Sequence, residues 1–284
     1  MNSPLVSILM TAFNRQQYIA EAIQSVINST YKNWELIIVD DNSTDSTVII
    51  AQEFVSIDSR IKLYINEINL GDYPNRNKAT SYAQGQYLMF VDSDDKLYID
   101  SISKILLIIT PLVGFNFGMY WPHSKDSFVM DSKEALREHF FGRQFLYMGP
   151  GGTIIRRSYF EQINQYPEKY GPANDMYFNL KACCYSKILL IPFEFHFYRL
   201  HEGQEGNNLY SYMYNNYLYM RDALNELPLP FSPKELSWLK KKNKRRFIVH
   251  LFNFYRKTFD FKKTRYAYKK TLFSLKDVFQ GCFH

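Results

Sequence analysis

Only three cysteines, Cys183, Cys184 and Cys282, occur in 284 residues. Two are adjacent and the third lies near the end, which excludes a disulfide framework and zinc-ligand spacing. A reducing cytosol suits such a chain. No apolar run approaches the roughly 20 residues of a membrane-spanning helix. The closest, Ile105-Leu106-Leu107-Ile108-Ile109, meets Pro111 almost at once. Met1-Asn2-Ser3-Pro4 leads directly into a strand-like run and lacks the basic-then-apolar form of a signal peptide. Glycine is absent between Thr11 and Arg15, so no glycine-rich phosphate loop follows that first run. Acid is scarce in one stretch: residues 240 to 276 hold 14 Lys/Arg against the single Asp260, a balance of +13 that leaves −7 elsewhere for +6 overall.

What is present is a pair of acidic clusters, each closing an apolar run. Glu35-Leu36-Ile37-Ile38-Val39 ends in Asp40-Asp41, and Gln86-Tyr87-Leu88-Met89-Phe90-Val91 ends in Asp92-Ser93-Asp94-Asp95. Short β-branched runs of this kind are buried strands of a parallel sheet. Ligands of open α/β sheets bind beyond the carboxyl ends of such strands. Carboxylates there call for a cation, and a cation there calls for phosphate, which points to a nucleoside-diphosphate site.

The intervening segments alternate. A strand is predicted over 5–10, an amphipathic helix over 16–29, a strand over 35–39 and a helix from the Asn42–Asp45 cap to about Phe54. Strands at 61–65 and 86–91 flank a helix that begins near Pro74 and is expected to end at Gly85. Beyond Asp95 the spacing predicts a helix over 98–109, strands near 112–117, 153–155, 188–191 and 194–198, and a helix over 174–186. Helices follow from Tyr210, interrupted by Pro228, Pro230 and Pro233. The fold class is therefore α/β, a Rossmann-like, mostly parallel sheet with helices on both faces and a helical C-terminal appendage. The expected division is 1–209, with halves of about 1–97 and 98–209, followed by a basic helical region over 210–284.

Five places carry chemistry. Thr11-Ala12-Phe13-Asn14-Arg15 closes the first strand, where a polar turn and an aromatic ring suit a flat base; a plain strand-to-helix turn is the alternative. Asp41 is placed to accept from a base N–H and Asp40 to orient its loop, alongside helix capping by Ser43 and Asp45. An EF-hand is excluded, since Ser46 and Gln52 stand where Gly and Glu are required. Asp92 and Asp94 have the spacing to share a divalent cation with a diphosphate, Mg²⁺ and Mn²⁺ both favouring oxygen ligands; a solvated acidic loop is the alternative. Asp175, after Asn174 at a helix start, is a cap taken alone and a candidate general base taken with the other clusters. Tyr198-Arg199-Leu200-His201 follows a strand, which lets His201 complete a metal shell or touch phosphate, or serve structure alone.

Taken together, the runs Val6-to-Arg15, Leu36-to-Asp45, Asn75-Arg76-Asn77-Lys78-Ala79 and Gly85-to-Asp95 resemble the family 2 glycosyltransferases of GT-A fold, strongly over about 4–110 and more loosely over 145–205. The resemblance implies metal-dependent transfer of a sugar from a nucleotide sugar, most often a UDP-sugar, with inversion at the anomeric centre. It puts Thr11, Ala12, Phe13, Asn14, Arg15 and Asp41 at nucleoside positions and Asn75, Arg76 and Asn77 near ribose and diphosphate. It puts Asp92 and Ser93 by the nucleotide, Asp92 and Asp94 in the metal motif with Mn²⁺ or Mg²⁺, and His201 in a late Arg-x-His motif. Asp175 falls on the catalytic base, with Asn174 departing from the usual acid before it and Phe13 from the commoner Tyr. Bacterial members often act on lipid-linked saccharides in cell-surface polysaccharide synthesis.

In the basic stretch 240–276, aromatic residues interleave with Lys and Arg, which suits an anionic membrane surface and a cytoplasmic, peripheral location. Packing on the catalytic domain and oligomer formation are the alternatives; no nucleic-acid recognition motif accompanies the charge. A nucleotidyltransferase making nucleotide sugars would share the core and the cation but normally carries a glycine-rich loop after the first strand. A non-catalytic nucleotide-sugar-binding module would not need Asp175.

Overall fold

Apolar runs that alternate with amphipathic segments have one low-energy solution, a sheet covered by helices. The computed structural model describes residues 3–109, 115–202, 204 and 208–282. Its first half runs β1 (Val6–Ala12), α1 (Ile19–Ile27), β2 (Trp34–Asp40), α2 (Thr47–Ile57), β3 (Ile61–Ile65), α3 (Asp72–Ser81) and β4 (Tyr87–Phe90). The second half holds β5 (Lys96–Leu97), α4 (Ser101–Ile109), β6 (Phe115–Tyr120), β7 (Phe128–Met130), α5 (Ser132–Phe141), β8 (Thr153–Arg156), α6 (Arg157–Gln162), α7 (Asn174–Tyr185), β9 (Lys187–Ile191) and β10 (His196–Phe197). Four helices close the chain: α8 (Leu209–Glu226), α9 (Pro233–Thr258), α10 (Phe261–Lys270) and α11 (Leu275–Cys282).

Eight strands form one sheet in the order β3-β2-β1-β4-β8-β6-β9-β7. β3, β2, β1 and β4 are parallel, as are β6 and β9, while β8 and β7 run antiparallel to their neighbours. The sheet is thus mostly parallel but mixed. Alternate residues face opposite layers: Ile8 and Met10 join the core beneath α1, α2 and α4, whereas Leu9 joins the one shared with α3, α5, α7 and α8.

Several expected boundaries move for physical reasons. α3 ends at Ser81, not at Gly85. Gly85 serves the entry to β4, where a Cβ would lie 2.6 Å from the Ser7 nitrogen. The strand expected at 194–198 reduces to β10, paired only with β5. The strand expected near 112–117 appears as β6; its first part, 112–114, lies outside the described residues. β7, α5 and α6 have no counterpart among the expected elements.

The C-terminal helices share the larger core. Phe247 is 2% exposed; its ring stacks on Tyr217 at 4.7 Å and meets Phe273 at 5.1 Å. Phe247→Ala is expected to destabilise the protein by about 3–5 kcal/mol in denaturant unfolding. A cost near zero would mean that α9 is not part of the cooperative core.

Candidate active site

β1 and β2 end side by side, Ala12 opposite Asp40, and the Asp41 N–H donates to the Ala12 carbonyl at 2.7 Å. β4 lies on the other flank of β1, which brings the acidic motif beside Thr11–Arg15. Ser93 Oγ ties the two by donating to the Thr11 carbonyl at 2.7 Å. A cleft of about 630 Å³ opens over these strand ends. Thr11, Ala12, Phe13, Arg15, Asp41, Asn75, Arg76, Asp92, Ser93 and Asp94 line it from the first half, Asp175 and His201 from the second.

Asn14 is not on that lining. It takes φ 53°, and its Oδ1 accepts from the Thr44 N–H at 2.9 Å, pinning the first loop to the second. Asp40 orients that second loop: its carboxylate accepts from the Ser43 N–H at 2.8 Å and the Ser43 hydroxyl at 2.5 Å. Asp41 is buried, and protein donors already face it. Its Oδ1 accepts from Asn66 Nδ2 and the Leu70 N–H, both at 2.8 Å, and its Oδ2 from the Gly71 N–H at 2.8 Å. Gly71 sits at φ 88°, a left-handed position open to glycine, and starts α3. Asn75 closes the network, accepting from Asn66 Nδ2 at 2.9 Å and donating to the Val39 carbonyl at 3.0 Å. Asn77 points elsewhere, bracing the Tyr166 backbone at 3.0 and 3.1 Å.

Oxygens of Asp92, Asp94 and Asp95 lie within 4.8 Å of one another. Three like charges so close would repel, and the protein offsets them with its own cations. Arg76 Nη1 donates to Asp92 Oδ1 at 2.6 Å; Arg15 Nε donates to Asp94 Oδ2 at 2.9 Å. His201 Nε2 is 3.0 Å from that same oxygen. Asp95, also on the cleft lining, accepts from the Arg199 N–H at 2.9 Å and faces His196 Nε2 at 3.3 Å. Among the described residues, Asp92 Oδ2 and Asp94 Oδ1 accept no hydrogen bond. The carboxylates of Asp92, Asp94 and Asp95, with His201 Nε2 beside Asp94, form a donor set that fits a hard divalent cation with phosphate in its shell.

Asp175 opens α7 and is 8% exposed. Burial pushes its carboxyl up to about 7, against partial relief from the Met176 N–H, which it accepts at 2.7 Å. Asn174 does not enter this chemistry: its side chain accepts from the Tyr170 N–H at 2.9 Å and donates to the Gly171 carbonyl at 2.7 Å. The sequence offered no sign of other lining residues. Tyr73 comes from α3, Pro150 from the turn before β8, and Ser211 and Tyr212 from the first turn of α8.

A mixed, mostly parallel sheet carrying an acidic motif at the end of β4 is the architecture of GT-A proteins. S. aureus TarS residues 1–349, solved in complex with UDP, shares this fold, with a TM-score of 0.72 at 19% identity over 98% of this chain and 81% of that one. The model of glycosyl transferase family 2 matches residues 7–164, more than half of the chain, and the chain belongs to that family. It is 40% identical over 129 residues to the putative teichuronic acid biosynthesis glycosyltransferase TuaG of Bacillus subtilis, covering 45% of this chain and 51% of TuaG. It is 38% identical over 130 residues to the UDP-Glc:alpha-D-GlcNAc-diphosphoundecaprenol beta-1,3-glucosyltransferase WfgD of Escherichia coli, covering 45% of this chain and 51% of WfgD. The chain thus spans about half the length of these curated relatives.

Proposed function

We propose that this chain transfers a sugar from a UDP-sugar to a saccharide or lipid-linked acceptor in cell-surface polysaccharide synthesis, with inversion at the anomeric carbon. The observation that carries this reading is one cleft holding both the Asp92–Asp94 motif and a buried carboxyl titrating near neutrality. A general base works best with a pKa close to the working pH.

In this reading Thr11, Ala12, Phe13 and Asp41 receive the nucleoside. The Phe13 ring stands open at the cleft for stacking, while Asp41 acts mainly by holding the Gly71 turn and the start of α3. Arg76, held on that helix, and Arg15 face the diphosphate. Asp92 and Asp94, with His201 beside them, hold Mn²⁺ or Mg²⁺. A cation held there would supply positive charge against the negative charge that grows on the departing diphosphate. Asp175 takes the proton from the acceptor hydroxyl on the opposite face of the sugar, and a single displacement then inverts the centre. Residues 1–97 form the donor side. Residues 98–209 form the acceptor side, to which Ser211 and Tyr212 add. WfgD, by its name, uses UDP-Glc and a diphosphoundecaprenol-linked acceptor, which supports a UDP-sugar and a lipid-linked acceptor here. A cytoplasmic position peripheral to the membrane suits such an acceptor.

Incubation with a panel of UDP-, GDP- and dTDP-sugars and Mn²⁺ is expected to release nucleoside diphosphate, fastest from a UDP-sugar. With a working acceptor, kcat/KM is expected to rise about tenfold per pH unit below pH 7 and to level off above it. Binding of donors without any release of diphosphate, with or without acceptor, would leave a nucleotide-sugar-binding module instead.

A further inference from the structure

The outer face of α9 presents a single stripe. Trp238, Lys242, Arg245, Val249, Phe252, Arg256 and Phe259 recur at alternating steps of four and three, and all are exposed. The opposite face, with Leu239, Asn243 and Phe247, is the buried one. Trp238, Phe252 and Phe259 are 50%, 63% and 76% exposed, and apolar surface grouped along one line, unlike singly scattered residues, marks an interaction site. The stripe is about 30 Å long at the helical rise. Lys242 Nζ lies 4.8 Å from the Trp238 ring centre, so charge and aromatic surface are already interleaved. At its end Phe259 takes the left-handed conformation, φ 52°, turning the chain sharply into α10. Phe261, Lys262, Lys263, Arg265 and Tyr266 continue the exposed aromatic and basic surface around that corner.

We infer that this stripe and corner dock the protein on an anionic lipid bilayer. The aromatic rings enter the headgroup region, and the lysines and arginines meet lipid phosphates. Charge complementarity selects this occupant. A second copy laid along the stripe would bring Lys242, Arg245 and Arg256 against their own kind, and Asp260 is the only acid between Lys240 and Lys276.

The corner is also tied to the cleft. Tyr210 Oη donates to the Lys263 carbonyl at 2.9 Å, and its ring lies 5.1 Å from Phe254. Ser211 and Tyr212, the next residues of α8, line the cleft. A bilayer holding the corner therefore lies beside the acceptor side, which deepens the proposed use of a lipid-linked acceptor and rests on that reading.

Co-sedimentation of the full chain with phosphatidylglycerol/phosphatidylcholine vesicles and with pure phosphatidylcholine vesicles separates the terms, and no acceptor is needed. Binding is expected to the anionic vesicles only, and to be partly resistant to salt. Each basic contact removed lowers partitioning by about fivefold, so Lys242→Glu with Arg245→Glu and Arg256→Glu is expected to reduce it by about a hundredfold or more. Phe252→Ser with Phe259→Ser is expected to make residual binding fully salt-reversible. Both variants change exposed side chains, and unchanged circular dichroism and melting temperature check that they fold. The inference would be overturned by no binding to anionic vesicles at low salt, by binding unaffected by either variant, or by a dimer in solution that Phe252→Ser dissociates. Binding to duplex DNA in place of vesicles would also overturn it. Donor hydrolysis in the same preparations reports the catalytic reading separately: absence of vesicle binding with hydrolysis intact sinks only the membrane surface.

Discussion

Asp175→Asn is expected to lower sugar transfer by about 10²- to 10⁴-fold while leaving donor binding intact. It is also expected to make the protein more stable in mild alkali. The amide keeps the oxygen that accepts from the Met176 N–H but cannot take a proton from an acceptor. The stability effect has a definite sign. Burial raises the folded-state pKa of Asp175 from 3.8 to about 7, so between those values the folded protein binds the proton that the unfolded chain has released. The wild-type carboxyl therefore costs stability progressively as pH rises through that window, and the cost is complete above it. At about 1.36 kcal/mol for each tenfold change in proton affinity, the upper limit is about 4 kcal/mol. Urea unfolding at pH 4 and pH 8.5 measures this directly: the two proteins should converge at low pH, with the variant ahead at high pH. Unchanged turnover would reduce Asp175 to a helix cap, and equal stability at both pH values would mean that its site is wetter than its burial indicates.

Asp94→Ala is expected to abolish most of the stabilisation that UDP and Mn²⁺ together confer. Ligand at a hundredfold excess over its dissociation constant should stabilise the wild type by about 2.7 kcal/mol, and by little without the cation. The substitution also removes the carboxylate oxygen that Arg15 Nε and His201 Nε2 share, so its baseline melting temperature will shift. The informative quantity is the shift on adding ligand within each protein. Equal shifts in wild type and variant would remove Asp94 from the cation site. A larger shift with GDP or dTDP than with UDP would change the base and leave the site standing.

The first half of the sheet was legible because its strands are short, continuous and apolar. β2 is buried along its whole length, and Leu36–Val39 announces that directly. Acidic residues end two such strands, and Asp41, Asp92 and Asp94 among them line one cleft. The second half was harder. β7 has only three residues, Phe128–Met130, and is recognisable only through its pairing with β9. α5 and α6 carry no long apolar stripe of their own. Hydrogen bonding hid other roles: Asp41 has the chemistry to read a base, yet its oxygens face the Leu70 and Gly71 amides, 29 and 30 residues away in sequence. The clustered acids suggested an unmet need for positive charge, and sequence spacing could not reveal that Arg15 and Arg76 would fold onto them.

Helix α8 belongs to two parts of the molecule at once. Its first turn supplies Ser211 and Tyr212 to the wall of the cleft, and Met213, Tyr217 and Leu224 further along it are buried in the core that receives α9. A chimera with a crossover at residue 209 would therefore cut between the floor of the cleft and one of its walls. It would also leave Gly171, held at φ 51° against the Asn215 side chain, packed against a foreign helix. Recombination among relatives is best confined to crossovers that carry α8 through α11 together with the Gly171–Ala173 turn on which α8 rests.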